Sequence, residues 1–113
     1  MAWTESTSGN ATTDGTEQTL ATVTAAGTYV LYLDTANMAS GDALEVRAYV
    51  MPKTAETERL LYGPKSGMTF WDVQEEPMKV TVPVNIIASA SVRFTIKRIA
   101  GTDRTYKWFV DVI

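Results

Sequence analysis

The feature that most constrains the fold of this chain is a two-residue alternation of apolar and polar side chains, which recurs from Leu20 to the last residue. In residues 44–51, 78–84 and 92–97 the larger apolar side chains occupy every second position. Successive side chains of a strand point to opposite faces, so each of these segments forms a strand with one buried face. No segment shows the longer period of an amphipathic helix. The pattern therefore predicts an all-β protein.

About eight strands are predicted, separated by clusters of turn-forming residues. Their approximate ranges are 18–24, 28–34, 43–51, 58–63, 68–74, 78–84, 91–99 and 105–112. Short strands with a turn roughly every eight to twelve residues are typical of an antiparallel β-sandwich, and we expect jelly-roll topology. Strand 28–34 is apolar on both faces, which indicates a central position. Residues 35–40 are expected to hold at most a helical turn, and residues 100–104 to form a hairpin loop.

Pro83 lies inside the most regular of these strands. Proline has no backbone N–H group, so it is confined to an edge strand, a bulge or a strand end. We therefore expect strand 78–84 to lie at a sheet edge, where Lys79 and Pro83 discourage pairing with another chain. A subunit contact through this edge is the alternative.

The predicted core consists of the inward-facing side chains of the strands. These are Leu20, Val23, Leu31, Leu33, Leu44, Val46, Val50, Val80, Val82, Phe94, Ile96, Trp108 and Val110. Trp108 belongs to the core because it shares a strand face with Tyr106 and Val110. Trp71, flanked by Phe70 and an acidic residue, is the tryptophan expected to be exposed.

Residues 1–16 differ in composition from the rest of the chain. Thr, Ser, Gly, Asn and Asp dominate, and Trp3 is the only large apolar side chain. Such a segment cannot bury enough surface to offset the entropy of ordering it. We therefore predict a flexible N-terminal arm over 1–16 and a β-sandwich domain over 17–113. Trp3 would anchor the arm on a partner, unless the arm is simply a frayed terminus.

Composition excludes several classes of function. The 113 residues form one domain, and they include no cysteine and no histidine. Disulfides, thiolate nucleophiles, imidazole bases and the commonest transition-metal ligands are thereby removed. Ten basic and thirteen acidic residues are interspersed, which argues against nucleic acid as a partner. We also expect no membrane association, because neither a signal peptide nor a run of roughly 18 apolar residues is present.

Acidic residues offer few candidates for catalysis. Asp72, Glu75 and Glu76 are the nearest to a pair of carboxylates, but they lie beside Pro77 in a predicted loop. Adjacent acids in a turn are normally solvated. We therefore predict that the protein is not an enzyme and has no catalytic residues.

One loop carries three potential oxygen ligands for a cation, Asp34, Asn37 and Asp42. Their spacing lacks the alternating ligands and central glycine of an EF-hand loop. Capping of turns by Asx side chains explains them more simply. We predict no metal and no cofactor.

Aromatic side chains are the remaining candidates for binding. Tyr62, Trp71, Tyr106 and Trp108 could line a platform for sugar rings, as in sandwich lectins. Since Trp108 is assigned to the core, the candidate partner-binding residues are Trp3, Tyr62 and Trp71.

Several segments resemble small proteins encoded in the structural modules of tailed bacteriophages. The segments are ATTDGTEQTLATVTAAGTYVL at 11–31, GDALEVR at 41–47, EPMKV at 76–80, FTIK at 94–97 and AGTDR at 100–104, with Trp108. The resemblance covers roughly residues 11–113, and its motifs consist of turn and strand residues rather than chemical groups. At 98–99 the chain has Arg-Ile where Gln-Thr is expected.

The resemblance implies a virion protein of the capsid decoration or cement type. Such a protein would be made in the cytoplasm of the bacterial host and carried on the capsid surface, commonly as a homotrimer. Its partners would be the lattice of the major capsid protein and other copies of itself. The alternative is a tail- or head-associated module that binds carbohydrate or another feature of the host surface.

Overall fold

The computed structural model describes residues 3–52, 57–62, 68–71, 78–81 and 83–113. All regular secondary structure within these ranges is β-strand, which confirms the all-β prediction. The strands are β1 (Thr4–Thr12), β2 (Gln18–Val23), β3 (Gly27–Asp34), β4 (Ala43–Met51), β5 (Arg59–Tyr62), β6 (Met68–Trp71), β7 (Met78–Val80), β8 (Val84–Ile86), β9 (Ser91–Ala100) and β10 (Thr105–Val112).

The strands form two antiparallel sheets. The first sheet has the order β1-β10-β3-β7, and β8 also pairs with β3. The second has the order β2-β9-β4-β5, and β6 also pairs with β4. Since β7 and β8 pair with different parts of β3, and β5 and β6 with different parts of β4, each sheet has four strand positions with the last one divided. This is the strand order of a jelly roll, as predicted.

The core between the sheets contains most of the predicted side chains. Those that are buried are Val23, Leu31, Leu33, Leu44, Val46, Phe94, Ile96, Trp108 and Val110. Leu20 and Val50 are partly buried and pack against this cluster. Val82 lies outside the described residues.

The predicted strand 78–84 is interrupted, and Val80 and Val84 do not share one face. Val80 pairs with Tyr32, whereas Val84 pairs with Tyr29, so this strand has one residue more than the β3 segment opposite it. An extra residue of this kind is a β-bulge, and it reverses which side chains face the core. Val80, predicted to be in the core, is therefore 43% exposed, while Val84 is buried.

Thr81 supplies the hydrogen bonds to β3 at this bulge. Its N–H group donates to the carbonyl of Leu31 at 3.0 Å. Its Oγ1 accepts a hydrogen bond from the N–H of Leu31 at 2.9 Å. The hydroxyl thus takes the place of the backbone carbonyl that a regular strand would offer to this N–H. Pro83 follows, outside β7 and β8, at the edge of the first sheet, so the prediction of an edge or bulge position is confirmed.

Residues 4–12 form a strand, which corrects the prediction that they belong to a flexible arm. β1 pairs with β10 from Thr4 opposite Val112 to Thr12 opposite Thr105. Its order is supplied by backbone pairing with a distant strand rather than by apolar burial. Gly9 also permits close packing, since a Cβ atom there would lie 3.0 Å from Cζ2 of the Trp108 indole.

Residues 101–104 connect the two sheets, so the predicted hairpin is wrong. β9 pairs with β2 and β4, whereas β10 pairs with β1 and β3. Residues 35–42, which connect β3 to β4, contain two turns. One is closed by a hydrogen bond from Met38 N–H to the Thr35 carbonyl and the other by a bond from Asp42 N–H to the Ala39 carbonyl, each at 3.0 Å. This connection contains no helix.

Candidate binding surface

The outward side of the first sheet presents apolar side chains to solvent. Directly opposite residues on neighbouring strands project from the same side, and the register places two rows across this sheet. The rows are Asn10–Lys107–Asp34–Met78 and Ser8–Phe109–Tyr32–Val80. We call these eight residues, with Glu5 and Asp111 at the next step of the β1–β10 ladder, the first-sheet face.

An aromatic pair lies at the centre of this face. The rings of Tyr32 and Phe109 are stacked, with centroids 4.5 Å apart and planes inclined by 10°. Met78 and Val80, on the neighbouring strand β7, are 46% and 43% exposed. The centre of the first-sheet face is therefore apolar and accessible to a partner.

A groove of about 380 Å³ crosses the β1 side of the face. Its walls combine the apolar side chains of Phe109 and Met78 with the polar side chains of Ser8, Asn10 and Lys107. A smaller depression of about 130 Å³ shares Asp34 and Lys107 with it and extends toward Asn37. Such a mixture of apolar surface and a few polar groups is typical of binding sites.

The charges of the first-sheet face are unbalanced. Glu5, Asp34 and Asp111 contribute three carboxylates, and Lys107 contributes one ammonium group. None of these four groups forms an ion pair with another described residue. An excess of carboxylates that have no ion-pair partner among the described residues favours a partner that carries positive charge.

The outward side of the second sheet differs, because hydrogen bonds and ion pairs within the chain cover its β2, β9 and β4 strands, while Leu60 and Leu61 on β5 are each 48% exposed. Glu17 accepts hydrogen bonds from Arg47 at 2.9 Å and from Tyr49 Oη and Thr95 Oγ1 at 2.7 Å each. Burial raises the pKa of Glu17, but the bonds from Thr95 and Tyr49 and the charge of Arg47 outweigh it, so the pKa lies below its usual value.

Arg93 extends this network across the second sheet. Its Nη2 lies 2.8 Å from Glu58 Oε1, and its guanidinium carbon lies 4.4 Å from the centre of the Tyr49 ring. The hydrogen bonds to Glu58 raise the pKa of Arg93. Glu17, Arg47, Glu58 and Arg93 thus neutralise one another, so this part of the second sheet offers a partner fewer unpaired charges than the first-sheet face does.

Asp42 forms a buried polar junction at one end of the sandwich. Its carboxylate accepts hydrogen bonds from the N–H groups of Ala39 at 2.8 Å and Thr102 at 2.9 Å, and from Nε of Arg104 at 2.6 Å. The two backbone donors, assisted by Arg104, lower the pKa of Asp42 to about 2. Gly101 is required beside it, because a Cβ atom there would lie 2.6 Å from Cα of Asp42.

The three candidate calcium ligands thus have separate partners. Asp34 accepts the N–H of Ala36 at 2.9 Å, and Asn37 Nδ2 donates to the carbonyl of Thr105 at 2.7 Å. Asp34 thus forms the Asx turn that capping predicts, whereas Asn37 and Asp42 also bond residues of the distant segment 102–105. Among the described residues there is no group of three His, Cys, Asp or Glu side chains that could hold a metal ion.

The predicted binding residues lie in different parts of the fold. Trp3 precedes β1 at the edge of the first sheet and is 41% exposed. Tyr62 and Trp71 lie on β5 and β6, which pair with β4 in the second sheet. The side chains of Tyr62 and Trp71 lie outside the described part of the chain, as do residues 72, 75 and 76, the candidate carboxylates.

Local sequence pattern did not reveal the first-sheet face. A signal was present, because strand 28–34 has apolar side chains on both faces and Phe109 alternates with the core residues of strand 105–112. One face of these strands had to remain outside the core. The strand order was needed to show that Tyr32 and Phe109 are neighbours.

Comparisons with known proteins give no identification. No protein-family model matches this chain, and neither a curated protein nor a solved structure is significantly similar to it. The described part of the chain contains no helix with the length and hydropathy needed to span a bilayer.

Proposed function

We propose that this protein is a structural virion component of a tailed bacteriophage that decorates the capsid by binding the major capsid protein through its first-sheet face. The observation that carries this proposal is the contrast between the two outward faces of the sandwich. Over β2, β9 and β4 the second sheet is covered by hydrogen bonds and ion pairs within the chain, with exposed apolar surface at Leu60 on β5, whereas the first sheet exposes Met78 and Val80 beside a stacked aromatic pair. The resemblance to phage structural-module proteins supplies the class of partner.

The physical properties of the first-sheet face suit adhesion to a repeating surface. Contiguous exposed apolar side chains commonly mark interaction sites. The stacked rings of Tyr32 and Phe109 are already ordered, so little side-chain entropy is lost when a partner covers them. A lattice offers many identical sites, so modest contacts per copy are sufficient if copies are linked.

The role needs no reaction, and the chain offers neither histidine nor cysteine for one. It also needs no disulfide, so the protein can fold in the cytoplasm of the bacterial host and remain folded on the virion. We expect the capsid surface under the first-sheet face to combine apolar and positively charged side chains, complementary to Val80 and to Glu5, Asp34 and Asp111.

Cosedimentation with capsids tests the proposal. The protein is mixed with heads of the phage that encodes it, prepared without the protein. We expect wild type to sediment with the heads, and Val80→Glu to bind at least about tenfold more weakly, since it places a charge in the apolar contact. Thr22→Glu, at an exposed position on β2, is the matched control and should bind as wild type does.

Two results would contradict the proposal. If wild type stays in the supernatant at all ratios, the capsid is not the partner. If Val80→Glu binds as tightly as wild type, the contact does not use the first-sheet face.

Carbohydrate binding is a second candidate, favoured by the groove beside Phe109. An aromatic side chain next to amide and carboxylate groups, here Asn10 and Asp34, is a common arrangement for sugars. A glycan array probed with wild type and with Phe109→Ala tests this function. Signals for particular glycans that disappear in the variant would support it, and signals shared by both proteins would exclude the groove as the site.

A further inference from the structure

The four sheet edges of the sandwich differ in how well they are protected from pairing with another chain. One edge is divided between β7 and β8, and another between β5 and β6. A third, β2, has a register shift between Thr19 and Ala21. The fourth, β1, is nine residues long, and its own register shift lies near its start, between Glu5 and Thr7. Residues 7–12 remain regular, and at their end the Thr12 carbonyl accepts a hydrogen bond from Gln18 Nε2 at 2.8 Å.

The sequence of β1 also lacks the usual protective residues. Proteins commonly guard edge strands with lysine, proline or bulges, and the β7–β8 edge has Lys79, Pro83 and a bulge. β1 contains neither lysine nor proline, and Glu5 is its single charged residue. Its other side chains are Thr, Ser, Gly, Asn and Ala, which are small enough to let a further strand approach.

We propose that two copies of this chain pair edge to edge through β1, antiparallel, with a two-fold axis near Ser8, so that Thr7, Ser8 and Gly9 lie opposite Gly9, Ser8 and Thr7 of the second copy. The same strand then serves both subunits, as a two-fold interface requires. Glu5 lies three residues from Ser8, so the two Glu5 carboxylates are separated by six residues, or roughly 20 Å at 3.4 Å per residue. Self-pairing therefore brings no like charges together.

The pairing joins two first sheets into one continuous sheet of eight strand positions. A two-fold axis perpendicular to the sheet leaves both first-sheet faces on the same side of the dimer. Two binding faces directed at one surface raise the effective concentration of the second contact once the first has formed. The dimer itself does not depend on the proposed function, and it differs from the trimer that the resemblance implies.

Sedimentation equilibrium of the isolated protein tests the pairing without a capsid. We expect wild type to form particles of two chains of 12.4 kDa as its concentration rises to about 1 mM. Ser8→Lys places two ammonium groups opposite each other at the axis and should weaken dimerisation at least about tenfold. Thr22→Lys, an exposed substitution on β2, should dimerise as wild type does.

A second measurement uses the absence of cysteine from the chain. Across the axis the two Cβ atoms of residue 8 would lie about 5 Å apart, close to the separation that a disulfide spans. Under mild oxidation Ser8→Cys should therefore form linked dimers at least about tenfold faster than Thr22→Cys. This readout remains valid if Ser8→Lys fails to fold.

Three results would overturn the pairing. Wild type could remain monomeric at all concentrations, or form particles of three chains, which would support the trimer instead. It could also form dimers that Ser8→Lys leaves unchanged while Ser8→Cys is linked no faster than Thr22→Cys, which would place the contact elsewhere on the molecule.

Discussion

Substitution of Asp42 by asparagine is expected to destabilise the protein by about 3 kcal/mol at neutral pH. The carboxylate is 2% exposed, and Oδ2 accepts hydrogen bonds from both Ala39 N–H and Arg104 Nε, while Oδ1 accepts the N–H of Thr102. Asparagine replaces one of these oxygens with an NH₂ group. At least one donor at the junction then faces another donor and loses its partner.

The pKa of Asp42 gives a second value for the contribution of this carboxylate to the free energy of folding. The backbone N–H groups of Ala39 and Thr102, with Arg104, lower it from 3.8 to about 2. At 1.36 kcal/mol per pH unit, the ionised form contributes roughly 2.5 kcal/mol to folding. Because the folded-state pKa lies below the unfolded value, this contribution is complete above about pH 4 and is lost as the pH falls through about 2.

Urea unfolding from pH 7 down to about pH 2 measures both effects. The free energy of unfolding of Asp42→Asn should lie about 3 kcal/mol below wild type at pH 7, and the difference should narrow to about 1 kcal/mol near pH 2. Asp103→Asn, in the 101–104 loop that contacts Asp42 but itself 45% exposed, is the control and should cost less than about 1 kcal/mol. A difference in free energy of unfolding between wild type and Asp42→Asn that stays constant with pH would refute the reasoning. A loss of stability in Asp42→Asn that is no larger than the loss in Asp103→Asn would also refute it.

Three further substitutions test the packing, each by the change in free energy of unfolding in urea. Gly9→Val should cost about 1–3 kcal/mol because its side chain meets the Trp108 indole, and an unchanged midpoint would mean that the indole can move aside. Thr81→Val removes the acceptor of the Leu31 N–H at the bulge and should cost about 1–3 kcal/mol, whereas a neutral result would show that this N–H finds another partner. Phe94→Ala should cost about 3–5 kcal/mol, since Phe94 is fully buried, and a loss below about 1 kcal/mol would contradict its place in the core.

The strands were largely predictable, because burial of one sheet face makes apolar and polar side chains alternate along each strand. β4 and β9 show this most clearly, with Val46 and Phe94 buried and Arg47 and Arg93 on the other side. The bulge after Val80 was not predictable, since an extra residue becomes visible only against the paired strand. Without it, the alternation over 78–84 places every apolar side chain on one face.

Neither β1 nor the first-sheet face could be predicted from the local sequence pattern, for the same reason. The backbone order of β1 comes from pairing with β10, in which Thr4 lies opposite Val112, 108 residues away. Tyr32 and Phe109 are likewise distant in sequence and stack only because their strands are neighbours. Composition alone correctly described residues 4–12 as poor in apolar side chains, but it could not supply the partner strand.

The position of β10 between β1 and β3 also governs when the protein can fold during synthesis. β1 and β3 emerge early from the ribosome, yet the strand that joins them, Thr105–Val112, is translated after all the other strands. Until then β1 has no neighbour and one side of β3 is open, so the nascent chain exposes strand edges that other chains can capture. Folding that waits for such distant pairings takes milliseconds to seconds. Chaperones that shield these strand edges during synthesis would therefore influence the yield of this protein.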